Sequence, residues 1–239
     1  MDLRRPQGRK GGYIDTEEQG TFWRGTVIDM DSRLRVGRTL GKTEAEVALA
    51  LMAQLKERGH PDTPPALATD GKGSYRQAMV ETWGRVPENK PGRGRPRTQK
   101  QPQPDWQYLQ VVKHRSSYRL LDVAVKVVYG DPMQVRETLG EHTNYIERTH
   151  LTSRQMNGRL VRRTLSFSKE LVMLEAACAW EDWVYNLTRP VKTLRQEIDT
   201  ENRRWKPRSP AMAAGLADHI WTVKELLTTV VAPDTTNTV

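Results

Sequence analysis

Two acidic residues of this chain stand where phosphoryl-transfer chemistry would need them. Asp70 ends a short apolar run, Ala66-Leu67-Ala68-Thr69, and is followed by Gly71-Lys72-Gly73. A carboxylate at the carboxyl end of a strand lies at the crevice where open α/β sheets take their ligands. Glu147 stands early in a helical stretch, Asn144 to Arg163, and the chain from Arg148 to Lys169 contains no acid. Carboxylates are the hard oxygen ligands that magnesium prefers, and a two-metal site needs several of them converging on ions about 3.5–4 Å apart. Arg148, Arg154, Arg159, Arg162 and Arg163 on or near that helix would grip a phosphate backbone while the carboxylate holds metal. Each acid also has a plainer explanation. Asp70-Gly71 is common turn chemistry. Asn144 with Glu147 three residues on has the spacing of a capping box, which would tie down a helix start.

Other chemistries find less support. The histidines (His60, His114, His142, His150 and His219) show no paired ligand spacing, which argues against a histidine metal site. Gly71-Lys72-Gly73-Ser74 is too short for a phosphate-binding P-loop. Cys178, the single cysteine, lies in an apolar stretch and reads as a small buried hydrophobe. One cysteine makes no disulfide and no cysteine zinc site, which fits a reducing cytoplasm. Trp180, Trp183 and Tyr185 recur at helical spacing, and core packing explains them better than base stacking does.

The elements that must position these residues can be read along the chain. Residues 1–21 are polar and Gly-rich, a poorly structured remnant. Phe22 to Asp29 and Leu34 to Leu40 read as the arms of a hairpin, turned by Asp29-Met30-Asp31-Ser32. Thr43 caps a helix that Gly59 ends. A short strand leads to Asp70, and Ser74 to Trp83 reads as a helix. Residues 85–105, rich in Pro, Gly, Arg, Lys and Gln, read as a mobile basic loop. Leu109 to Lys113 and Tyr118 to Tyr129 are β-branched enough for strands within an inserted segment, 106–130. A short helix around Met133 to Leu139 follows, then helices over Asn144 to Arg163 and Ser168 to Leu187. A charged linker spans 199–209, and Pro210 to Leu227 closes as a helical tail. Hairpin, helix, strand and helix in that order suggest an α/β class, a mixed sheet flanked by helices.

The 239 residues carry a formal net charge of +9, with basic runs at Arg85 to Lys100 and Arg148 to Lys169. That balance favours a polyanion, nucleic acid first and an acidic membrane surface second. No run approaches the roughly 18 apolar residues of a membrane span, and the first residues carry no secretory apolar region.

Several segments together resemble DDE transposases of the bacterial insertion sequence one family. Trp23-Arg24-Gly25-Thr26-Val27-Ile28-Asp29, with Asp31 through Gly41-Lys42-Thr43, is similar to that family's second and third strands. Leu67 through Tyr75 is similar to its second-aspartate block, and Val111 through Gly130 to strands inserted in one branch. Asn144-Tyr145-Ile146-Glu147-Arg148-Thr149-His150-Leu151-Thr152-Ser153-Arg154-Gln155 is similar to its catalytic-glutamate helix. Ser166 to Lys169 and Ser209 to Leu216, with Trp221, resemble later segments. The matches run in order from about residue 22 to 227.

The resemblance implies an RNase H-like catalytic core over 22–188, with 189–239 as linker and tail. It implies Asp70 and Glu147 as catalytic metal ligands for two Mg2+ ions, with Mn2+ as a substitute. It also implies strand cleavage and strand transfer on double-stranded DNA at transposon ends and target, by a homo-oligomer in the bacterial cytoplasm and nucleoid. The departure lies at the front. The family's first catalytic aspartate sits on an apolar opening strand, and residues 1–21 hold no good copy of it. Asp2 is the candidate, although Leu3-Arg4-Arg5-Pro6 is a poor central strand. The expectation is therefore a transposase, active or truncated; the alternative is a non-catalytic DNA-binding remnant that inhibits transposition.

Overall fold

A computed structural model describes residues 22–88, 98–117, 119–161, 165–200 and 203–229. The chain is mixed α/β, built on small sheets. It divides into two compact units, one of residues 1–27 with 36–167, the other of 28–35 with 168–239. Among the described residues no helix is long and apolar enough to cross a membrane.

Among the described residues the chain begins with the expected hairpin, β1 (Trp23–Ile28) and β2 (Arg35–Gly41), whose arms belong to the first unit and whose turn, 28–35, is grouped with the second. Asp29 turns it by accepting from the Ser32 backbone N–H at 2.8 Å. Helix α1 (Glu44–Glu57) starts on a full capping box: the Thr43 hydroxyl accepts from Glu46 N–H, and the Glu46 carboxylate accepts from Thr43 N–H. Strand β3 (Leu67–Asp70) leads to α2 (Gly73–Trp83). Strands β4 (Tyr108–Ser116) and β5 (Arg119–Tyr129) complete a second sheet in the order β3-β4-β5. β3 runs parallel to β4, and β4 antiparallel to β5. A parallel neighbour needs a crossover, and α2 lies within this one. Ala48, Met52 and Leu55 of α1, Met79 and Trp83 of α2, and Trp106 and Tyr108 share one buried core. Trp83 can be buried because its indole N–H donates to the His60 carbonyl at 2.7 Å.

After β5 come α3 (Pro132–Leu139), capped by Asp131, and α4 (Asn144–Met156). α4 is shorter than the expected 144–163. Asn157 ends it with a non-helical backbone, and its side chain accepts from Arg159 N–H to start a 3-10 turn. Of the basic loop, residues 89–97 lie outside the described residues; at its margins Arg85 and Gln101 exchange backbone hydrogen bonds of 3.1 and 2.9 Å.

The second unit is built on α5 (Leu171–Trp183), which passes into a π turn, Val184–Thr188. Two expectations are corrected here. Trp180 and Trp183 are 40% and 53% exposed, so they are not core; Tyr185 and Cys178 are buried as expected, and Leu174 is buried with them. The segment read as a charged linker is a hairpin, β6 (Gln196–Thr200) and β7 (Arg203–Lys206). Its polar composition hides how it is held: Arg195 stacks over the Trp205 ring at 4.1 Å. The expected helical tail is made of two short helices, α6 (Pro210–Ala213) and α7 (Val223–Thr228).

Candidate functional site

Asp70 ends β3 opposite Val111 of β4. The turn behind it is fixed from several sides. The Gln110 amide donates to the Lys72 carbonyl at 3.1 Å and to the Tyr108 hydroxyl at 3.0 Å. That hydroxyl bonds Thr69 Oγ1 at 2.8 Å. Gly71 lets the backbone pass close to β4, since a Cβ there would lie 2.9 Å from Val112 Cγ2. The Asp70 carboxylate itself is exposed and accepts from Lys72 N–H at 3.3 Å. Burial first, and then the charge of Asp70, pushes the Tyr75 hydroxyl up to about 12, so this neighbour stays neutral.

Glu147 lies on the first turn of α4. The capping-box alternative is not what forms. Thr143, not Asn144, precedes the helix, and the Glu147 carboxylate accepts from the Thr143 hydroxyl at 2.8 Å and from the Lys113 ammonium. The Lys113 hydrogen bond, helped by Thr143 and the charge of His150, holds the carboxyl below its usual value.

β3, β4 and α4 thus bring Asp70 and Glu147 to the wall of one cavity of about 670 Å³. The same wall carries four cations, Lys72, Lys113, Arg115 and Arg154, with His150, Thr143 and the uncharged Gly71, Val111 and Val112 among them. Lys113, Arg115 and His150 were not singled out as site residues from the sequence. Their signal is periodicity. Val111, Lys113 and Arg115 recur at every second position of β4, although Val112 lines the cavity too, and Glu147, His150 and Arg154 follow the helical repeat of α4 from its cap Thr143. Of the arginines expected on DNA, Arg154 lines this cavity, while Arg148 is exposed and is not among its lining residues. Arg159 lines a separate hollow of about 490 Å³ with Asn157 and Phe167. Arg162 and Arg163 lie outside the described residues, as does Asp2.

The donor set suits magnesium in kind, being carboxylate and hydroxyl oxygen. In number it is sparse. Among the described residues no three of His, Cys, Asp and Glu group as a metal site. Any cation at Glu147 also competes with the Lys113 ammonium. Compared with known proteins, the chain matches no family model, no curated protein and no solved structure.

Proposed function

We propose that this chain is the catalytic domain of a DDE transposase with an RNase H-like core, acting on DNA phosphodiesters. The observation that carries the reading is the single cavity that holds Asp70 and Glu147 within a cationic wall. Lys72, Lys113, Arg115 and Arg154 would neutralise and orient the phosphate backbone. Asp70 and Glu147 would hold the divalent metal, with Thr143 keeping the Glu147 carboxylate in place. When bound, Mg2+ supplies charge neutralisation for in-line displacement at phosphorus. The Gln110–Tyr108–Thr69 network keeps the Asp70 turn rigid, so that little reorganisation is left for the reacting state.

The test is nicking of supercoiled plasmid in Mg2+ or Mn2+, set beside duplex affinity. Asp70→Ala abolishes nicking while affinity holds or improves, because a charge that repels phosphate is gone. Equal nicking by the variant overturns the enzymatic reading. A second reading has its own support in the sparse donor set and the Lys113–Glu147 pair. It is a cleft that binds DNA without cutting it, as an inhibitory remnant would. No nicking by the parent chain, with DNA affinity that falls in Arg154→Ala, favours that reading.

A further inference from the structure

β5 is an outer strand of its sheet among the described residues. Edge strands are normally kept short, or broken by proline, or guarded by charge, because an open row of backbone donors and acceptors recruits other strands. β5 runs for 11 residues, contains neither Pro nor Gly, and exposes Leu120, Leu121 and Val123 at 52%, 68% and 42%. Between its two register shifts it forms a regular ladder with β4, from His114 opposite Asp122 to Leu109 opposite Val127. Within that regular run lies Asp122-Val123-Ala124-Val125-Lys126, which reads as a palindrome whose two ends carry opposite charge. Neither Asp122 nor Lys126 has an ion-pair partner among the described residues.

We propose that two copies of this chain pair β5 to β5 antiparallel, about a dyad through Ala124. In that register Asp122 faces the partner's Lys126 on both sides of the dyad, and Val123 faces the partner's Val125. The alternatives lose these pairs. A dyad at Asp122 or at Lys126 sets like charges together, and a slip of one residue turns every side chain to the other face. The result is a continuous sheet in the order β3-β4-β5-β5-β4-β3, whose dyad stands normal to it and keeps equivalent faces on one side. Asp70 aligns through Val111 with Val125, next to the dyad. Five strand spacings therefore set the two Asp70 positions about 24 Å apart. The pairing does not depend on the chemistry proposed above, and its test involves no cleavage.

The experiment is sedimentation equilibrium of the full chain without DNA, with D122K, K126D and the double swap D122K/K126D. The parent dimerises. Each single swap weakens the dimer by about tenfold or more, the double swap restores it, and an equal mixture of the two single variants forms heterodimers. The mixture guards against misfolding, since damaged chains would not recover on mixing. Cysteine cross-linking fixes the register, because Cys178 is buried and silent. Ala124→Cys gives an oxidised dimer. Lys126→Cys, about 14 Å from its copy in this register, does not. A parent that stays monomeric, a dimer indifferent to the charge swaps, or cross-linking at Lys126→Cys in place of Ala124→Cys overturns the proposal.

Discussion

Glu147 gains its setting from residues far from it in sequence. Lys113 reaches it from β4, 34 positions away, and that ammonium is the main reason its carboxyl is held low. A folded value below the unfolded one means the pair stabilises the fold above the ordinary value near 4.5 and is lost as pH falls through the lowered value. Lys113→Met should flatten that acid limb in urea denaturation followed across pH; an unchanged limb would deny the pair this role. Gln110→Leu should loosen the Asp70 turn, lowering nicking more than thermal stability. An equal loss of both would make Gln110 merely structural. Asp70 and Glu147 were legible in the sequence as candidates because strand end, glycine turn and helix head are local signals. Lys113 and Arg115 were not, because nothing in β4 says which helix its face meets.

At the level of elements, local chemistry was a good guide wherever one segment decides its own form. Thr43 with Glu46 announces α1, and the β-branched runs announce β4 and β5. Thr43→Ala removes a cap and should cost about 1 kcal/mol in denaturant unfolding. Gly71→Ala should cost more, about 1–3 kcal/mol, because a Cβ 2.9 Å from Val112 Cγ2 meets a stiff branched side chain and pushes β3 off β4. A loss below about 0.5 kcal/mol would mean the strands part easily there. Local signals failed for the β6–β7 hairpin, where guanidinium–indole stacking at Trp205 does the work usually read from apolar alternation. They failed again at α5, where helical spacing of Trp180 and Trp183 indicated a core that the helix does not bury.

The division into two units was not legible, because it depends on one turn far from its partners. The turn at 28–35 belongs with residues 168–239. Arg35, buried under the hairpin end, ion-pairs with Glu181 and with Asp182 at 2.8 Å. Its guanidinium lies 4.0 Å from the Tyr185 ring centroid, and its backbone is held at both polar groups by the Asn186 amide. Arg35→Met leaves two buried carboxylates short of a cation, and about 3–5 kcal/mol of stability should go with it. Limited proteolysis should then cut first within 168–229. The most direct measurement for the molecule as a whole supplies Fe2+ in place of the proposed magnesium and, with ascorbate and peroxide, lets hydroxyl radical cut the backbone beside any bound iron. Cuts next to both Asp70 and Glu147, suppressed together by excess Mg2+ and by Asp70→Asn, are the predicted result. Cutting beside only one of them, or cuts that Asp70→Asn leaves unchanged, would contradict a shared metal site.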